Sequence, residues 1–373
     1  MKFSCTQENL SSGLALVAHI AARTSTLPIL SNILLRTSDR GLELVATNLE
    51  VAVVTAVRGK VEEPGEVTVQ GKLMAESVGL LPSDRVDIST EGNELTVRCG
   101  RQRAALRTLP TDDYPVIPEV GTGVNLTPPT HEFAQGLAQV GFAVAVDDGR
   151  PELSGIYLCV QGFELVLAGT DSYRLAERRL AMTAKPAMSP NPCIIPLRAV
   201  QEFVRVLQAS GEETCSLTIG ENQILVRAGD TTVTSRLVAG SYPDYQSIIP
   251  QRSGTGAVVE RGAFIQAVRA ASLFVRSGIN DVRLELDPET KTLAVNSTNS
   301  QLGESSNDVT CASATGVPVQ TVFNFRYLLD GLQAMGASEV ELEFTDQKSP
   351  VVFRPHGKQS SGSYLYIIMP IRQ

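Results

Sequence analysis

The organisation of the chain is read most directly from Glu164-Leu-Val-Leu-Ala-Gly-Thr-Asp-Ser-Tyr-Arg-Leu-Ala-Glu177. An apolar run of strand type stops at Gly-Thr-Asp-Ser and restarts through Arg174-Leu175-Ala176, which predicts a β-hairpin with a polar tip. Two further stretches have the same shape: Leu42-Glu-Leu-Val-Ala-Thr-Asn-Leu-Glu-Val-Ala52 and Thr292-Leu-Ala-Val-Asn-Ser-Thr-Asn-Ser-Gln-Leu302. Their Thr-Asn or Thr-Asp steps fall at Thr47, Thr170 and Thr298, spaced 123 and 128 residues apart. So long a period predicts three similar domains, not an array of short repeats.

The same parts recur around each hairpin. The first repeat opens with a helix over 7–21, striped by Leu10, Leu14, Val17 and Ala21. Strands over 30–36 and 42–57 follow, then a second helix over 72–81 that presents Leu73, Met74, Val78 and Leu81 to a core. Asp113-Tyr-Pro-Val-Ile-Pro118 closes the unit. The second repeat has helices over 131–146 (Phe133, Leu137, Val140, Val144) and 196–207, and ends in Tyr242-Pro-Asp-Tyr-Gln-Ser-Ile-Ile-Pro250. The third has helices over 261–275 and 325–335 and ends in Ser363-Tyr-Leu-Tyr-Ile-Ile-Met-Pro-Ile-Arg-Gln373, with Pro370 in the place of Pro118 and Pro250. Two amphipathic helices and about eight strands per repeat suit helices laid on one face of an antiparallel sheet, an α+β fold. The domains expected are 1–120, 127–250 and 255–373, joined by short linkers, the first carrying Gly121-Thr-Gly123 and Pro128-Pro129.

The totals agree. The chain has 373 residues, too many for one core, with ordinary hydrophobic (43%) and charged (19%) shares. No apolar run reaches the roughly 18 residues of a membrane-spanning helix. Met1-Lys-Phe-Ser-Cys-Thr-Gln-Glu8 lacks the apolar segment of a signal peptide, so a cytoplasmic protein is expected. Six cysteines (Cys5, Cys99, Cys159, Cys193, Cys215, Cys311) form no Cys-x-x-Cys pair and read as buried reduced thiols. The net charge of -8 lowers the odds of a nucleic-acid partner, yet a basic stripe can coexist with acidic faces.

No catalytic constellation emerges. His19, His131 and His356 stand alone, without ligand-spaced companions, so no metal and no cofactor are expected. Phosphate-cradling and nucleophile-elbow motifs are absent. The adjacent pairs Asp112-Asp113 and Asp147-Asp148 point their carboxylates apart. Asp171 suits turn geometry better than base catalysis, and Asn48 and Asn299 at the equivalent steps cannot act as bases. Basic residues do recur on the helices and their edges: Arg23, Lys72, Arg198, Arg205, Arg269, Arg276 and Arg326, with Arg150 just past another. Taken singly each reads as a solvated face, but the repeat would bring them to one common surface.

Five motifs in order carry a resemblance. Arg23-x-x-Thr-Leu-Pro-Ile-Leu-Ser-Asn32, Ala46-Thr-Asn-Leu-Glu50, Gly169-Thr-Asp-Ser-Tyr-Arg-Leu-Ala176, Tyr242 to Pro250, and Met369-Pro-Ile-Arg372 together resemble the bacterial sliding clamps, the DNA polymerase III beta subunit family. The likeness spans the whole chain. It implies a head-to-tail homodimer of six similar DNA-clamp domains closed as a ring. Helices would line the hole, and their basic faces (Arg23, Lys72, Arg150, Arg198, Arg205, Arg269, Arg276) would meet duplex DNA without reading sequence. It also implies a groove for short linear peptides of the replicative polymerase, the clamp loader, and repair and mismatch proteins. Carried over by motif, Leu153, Thr170, Ser172, Tyr173, Arg174 and Leu175 line one side. Pro243 and Ile248, Asn324 and Tyr327, Val351, and Met369, Pro370, Ile371 and Arg372 complete it. Leu175, Ile248, Val351 and Met369 would form a soft apolar pocket, with Arg174, Arg372 and Asn324 at its rim.

The sequence departs from the family pattern at Ser172-Tyr173, where Gly-His is frequent, at Ser247, Ile371 and the terminal Gln373. These bear on peptide preference. Because Arg174-Leu175 has no counterpart in the other copies, the groove is expected once per chain. Rival readings are a scaffold that binds proteins without DNA, and a three-repeat hydrolase or transferase. The resemblance instead implies a non-enzymatic processivity factor, associated with the nucleoid during replication.

Overall fold

The protein is described by a computed structural model, covering residues 1–21, 27–117, 120–146, 149–182, 188–250, 254–275, 278–357 and 362–371. Six α-helices are found among them: α1 (Gln7–Ala21), α2 (Gly71–Gly79), α3 (Thr130–Gly141), α4 (Leu197–Ala209), α5 (Arg261–Ser272) and α6 (Phe325–Ala334). They alternate with antiparallel strands, about as many per repeat as the sequence predicts. The chain divides into two compact units, Met1–Ala134 with Pro186–Pro190 and Arg198–Leu237, and Gln135–Lys185 with Asn191–Leu197 and Val238–Gln373.

Unit 1 holds a 13-stranded hydrogen-bonded order. Helix α1 packs on α2 and on the hairpin strands Gly41–Thr47 and Val51–Val57. The predicted stripe Leu10, Leu14, Val17 and Ala21 is buried. Val51–Val57 also pairs antiparallel with Thr231–Arg236, placing Val51 opposite Ser235 and Ala52 opposite Thr234. The two threonine hydroxyls of Thr55 and Thr231 meet at 2.7 Å in this seam.

Unit 2 holds a 12-stranded order. Glu164–Thr170 and Arg174–Ala181 form the predicted hairpin. Its second strand pairs with Ser363–Ile368, Arg174 opposite Ile368 and Leu175 opposite Ile367. Helix α6 lies so close to that last strand that a Cβ on Gly331 would sit 2.0 Å from Tyr366 Cε1. Glycine is therefore a packing requirement there.

Several sequence expectations are corrected. Leu73 is half exposed, because α2 buries Gly71, Met74 and Val78, and Leu73 lies about 100° round the helix from Met74. The helix expected over 131–146 stops at Gly141, after which the Ala145 N–H turns to the Leu153 carbonyl. The strand Gly303–Thr315 was not anticipated. All six thiols are free and buried, and burial raises each pKa, Cys215 to about 11, and Cys5 and Cys193 to about 12. Such thiols are poor nucleophiles. Among the described residues no group of His, Cys, Asp or Glu could hold a metal, and no helix is long and apolar enough to cross a membrane.

Candidate functional site

The three polar tips are one device repeated. Asp171 Oδ1 accepts the N–H groups of Tyr173 (2.9 Å) and Arg174 (3.0 Å). Asn48 Oδ1 accepts those of Glu50 (3.0 Å) and Val51 (2.8 Å), and Asn299 Oδ1 those of Gln301 (2.9 Å) and Leu302 (3.3 Å). In the first two copies the preceding threonine hydroxyl accepts the next N–H but one and donates to a carbonyl four residues on: Thr170 to Arg174 and Thr47 to Val51. Leu49 and Ser172, at φ 75° and 76°, occupy the same left-handed position. An Asn or Asp side chain is what such a turn needs, which explains why Asp171 has amide counterparts.

The middle copy adds a charge network. The second oxygen of Asp171 accepts from Arg174 Nε at 2.9 Å, and Arg174 Nη1 donates to Asp330 Oδ2 at 2.6 Å. The guanidinium also lies over the Tyr327 ring (4.5 Å) and near Phe142 (5.4 Å). Burial works against its charge, but Tyr366, Asp330 and Asp171 together hold its pKa above the ordinary value. Arg174, expected at the rim, is thus held in place by Asp171 and Asp330. Asp330 and Phe142 escaped sequence reasoning. The available signal was helical spacing, since Asp330 lies three residues beyond Tyr327 on α6.

This separates two roles of Asp171. Asp171→Asn should keep the turn, as Asn48 does, and lose only the Arg174 ion pair. Asp171→Ala should lose both, melting lower by a further loss of about 1 kcal/mol. Equal melting temperatures for the two variants would refute the division.

Around Arg174 the remaining groove residues take fixed places. Met369 N–H donates to the Tyr173 carbonyl at 2.8 Å, and Ile371 N–H to the Val322 carbonyl at 2.8 Å, so the C-terminal segment runs from the hairpin tip towards Val319–Asn324. Tyr245 donates to Glu177 Oε2 at 2.6 Å, and its ring stands edge-on to Tyr157 and Tyr242. That cluster fixes the turn Tyr245–Ile248, leaving Ile248 and Pro243 exposed. Leu153, Leu175 and Val351 are fully buried, which corrects the expectation that they form the surface of an apolar pocket: Leu175 packs in a core cluster with Ala168, Tyr245, Val352, Leu365 and Ile367. Ser172 and Tyr173 are exposed, while Thr170 is buried in the turn. Asn324 caps α6 by accepting the Arg326 N–H at 3.0 Å. A cavity of about 500 Å³ adjoins Pro370 and Ile371, with Gln320 and Lys348 on its lining. Arg372 lies outside the described residues.

The candidate DNA-facing cations divide. Lys72, Arg150, Arg198 and Arg269 are exposed. Lys72 stands 3.8 Å from Glu76, and Arg198 3.4 Å from Glu50. Arg205 is corrected: half-buried, it bonds the buried Glu202 at 2.5 Å and the α1 carbonyls of Ala15 and Leu16, so it fastens α4 to α1. His19 reaches the same Glu202 at 2.6 Å. Arg23 and Arg276 lie outside the described residues, as do Asp147-Asp148.

Comparison with known proteins gives this architecture a family. The profiles of the DNA polymerase III beta subunit match in order: N-terminal domain over 1–118, central domain over 127–244 and C-terminal domain over 246–372. The chain belongs to the DNA polymerase III beta subunit family. The beta sliding clamp of Synechococcus elongatus is 30% identical over 378 residues, covering 100% of this chain and 99% of that protein. A sliding clamp of Pseudomonas aeruginosa, solved bound to griselimycin, superposes with a TM-score of 0.92 at 30% identity, covering all of both chains. The DNA polymerase sliding clamp of Bacillus subtilis gives a TM-score of 0.92 at 27% identity, covering 100% of this chain and 99% of that one. Three clamp domains, each with two helices on antiparallel strands, are the fold of this beta-subunit chain.

Proposed function

We propose that the chain is a DNA replication processivity factor that closes head to tail with a second copy around duplex DNA and tethers partner proteins at the Arg174 hairpin. Its domains would run over 1–120, 127–250 and 255–373. The observation that carries the ring is a repeated seam with one pair of ends left over. The strand after the tip in domain 1, Val51–Val57, pairs with the last strand of domain 2, Thr231–Arg236. The strand after the tip in domain 2, Arg174–Ala181, pairs with the last strand of domain 3, Ser363–Ile368. Among the described residues, the equivalent strand in domain 3, Gly303–Thr315, has only Thr292–Asn299 beside its first half, and Gln102–Leu109, the last strand of domain 1, has only Glu94–Cys99 beside residues 102–107.

The helices leave the same remainder. Helix α4 bonds α1 through Arg205, and the Ala334 carbonyl at the end of α6 accepts from Gln139 on α3 at 3.1 Å. Helices α2 and α5 pack on α1 and α6 within their own domains, and among the described residues no hydrogen bond joins either to a helix of another domain. Aliphatic side chains stay exposed on both leftovers: Leu73, Leu80 and Leu109 in domain 1, Leu273 and Leu302 in domain 3. A heterologous contact between such ends closes when the rotation allows, and pairing would remove both open sheet edges.

The repeat also supplies a register. Thr298 pairs with Glu304 as Thr47 pairs with Ala52, so Ser306 answers Val54, and Gln102 answers Thr231; Ser306 of one copy should then face Arg103 of the next as Val54 faces Thr232. Arg103→Cys with Ser306→Cys should therefore close under mild oxidation into a covalent dimer of about twice the 39.9 kDa chain. The native thiols, all buried, should not compete. A double variant that stays monomeric in denaturing gels would count against the seam. The exposed cations Lys72, Arg150, Arg198 and Arg269 suit transient, sequence-independent phosphate contact. The relative solved with griselimycin supports a ligand-accepting surface on clamps of this family. On this reading the chain does no chemistry of its own and works in the cytoplasm, on the chromosome.

A further inference from the structure

We propose that the first polar-tip hairpin builds a second peptide pocket, one that takes an extended segment carrying a carboxylate between aliphatic side chains. The inference rests on reading the Arg174 hairpin as a peptide groove. A cavity of about 300 Å³ opens against Leu49, Val51, Pro115, Val116, Ile117 and Arg236. It occupies, in domain 1 and the seam strand of domain 2, the place that the groove occupies one domain later.

The correspondence is made bond by bond. Arg236 N–H donates to the Glu50 carbonyl at 3.1 Å, as Met369 N–H does to Tyr173 at 2.8 Å. Val51 stands opposite Ser235 as Arg174 stands opposite Ile368. Tyr114, just before Pro115, donates to the Val45 carbonyl at 2.9 Å and anchors that segment, as the stacked and edge-on rings of Tyr157, Tyr242 and Tyr245 anchor the segment around Pro243. Val116 and Leu49 are left exposed, 90% and 52%, so the pocket has unburied aliphatic walls.

The chemistry differs from the C-terminal groove by a charge exchange. Where the groove has Arg174, this pocket has Val51; where the groove has Met369, this pocket has Arg236. Arg236 is exposed, and among the described residues no ion pair engages its guanidinium. Glu50, the nearby carboxylate, is already matched by Arg198 at 3.4 Å. The rim therefore keeps a net positive charge over an aliphatic floor, complementary to an acidic residue flanked by leucine-like side chains.

The test uses an acetylated, amidated peptide, Gly-Ser-Leu-Asp-Leu-Ser-Gly, and a twin with lysine for aspartate. Methyl NMR on the full-length protein follows Val51, Val116 and Ile117 for this pocket, and Ile248 and Met369 for the C-terminal groove. The acidic peptide should shift the Val116 and Ile117 methyls saturably, and the lysine twin should not. Arg236→Glu keeps its backbone bond and should weaken the acidic peptide by about tenfold or more while admitting the lysine twin. Silence at Val116 and Ile117 overturns the proposal, whatever Met369 does. So does a preference unchanged by Arg236→Glu. A response at Val116 with none at Met369 would support this pocket and sink the groove reading instead.

Discussion

On a nicked circular plasmid the protein, once loaded, should remain through a wash in high salt, and a single cut in that plasmid should release it within minutes. A bound protein held by phosphate contacts behaves otherwise, because its affinity falls steeply with salt on either form of DNA. The chain is poorly equipped for such binding. Its net charge is -8, and Lys72 and Arg198, two of its candidate cations, stand beside carboxylates of their own. Retention must then come from linkage of two closed circles, which salt does not touch. The Arg103→Cys, Ser306→Cys ring sharpens the expectation: cross-linked after loading, it should resist dilution indefinitely on the circle and still leave the cut DNA. Equal retention on circular and linear DNA would show ordinary binding.

Deleting Met369 to Gln373 should cost partner-peptide binding at least about a hundredfold, about 3 kcal/mol, while the dimer stays intact. Met369 and Ile371 each spend one N–H on the scaffold, to Tyr173 and to Val322, and so present their side chains from a fixed rail. The deletion removes that rail but ends after Ser363–Ile368, so the seam with Arg174–Ala181 survives. The leftover strands proposed to join two copies, Gln102–Leu109 and Gly303–Thr315, lie elsewhere in the chain. A truncated protein that becomes monomeric would place the C-terminus in the subunit contact, and one that still binds peptide would move the groove.

The hairpin tips were legible because an Asx turn writes itself into sequence: Thr then Asn or Asp, after an alternating strand, recurs three times. The helix stripes of α1 and α3 were legible for the same reason of period, and their residues Leu10, Leu14, Val17, Ala21, Phe133, Leu137 and Val140 are buried, as is Val144 beyond the end of α3. Gly303–Thr315 was not, because Glu-Ser-Ser-Asn-Asp-Val-Thr has no alternation: among the described residues one edge of its first half has no partner strand, and few of its side chains are covered. Arg205 misled because helical position shows a polar face but not what lies across from it, here the α1 carbonyls. Arg174 was found by motif, yet its lock on Asp330 joins residues 156 apart in sequence, a distance no local pattern spans. The pocket at Val116 went unread for the opposite reason. At matched positions the side chains differ in kind, Val51 for Arg174 and Arg236 for Met369, so the repeated backbone bonds reveal the kinship.

The seam Val51–Val57 on Thr231–Arg236, and its twin Arg174–Ala181 on Ser363–Ile368, join strands of a single chain. A covalent linker holds such partners at a local concentration that dilution of the protein cannot change. The third seam of the proposed ring has the same strand architecture but no linker, so only its closure responds to how much protein a cell contains. Weakening the two tethered seams should lower melting temperature at every concentration. Weakening the untethered one should leave melting of each chain nearly unchanged and shorten residence on DNA, which makes breathing of the ring and folding of the chain separately adjustable by mutation.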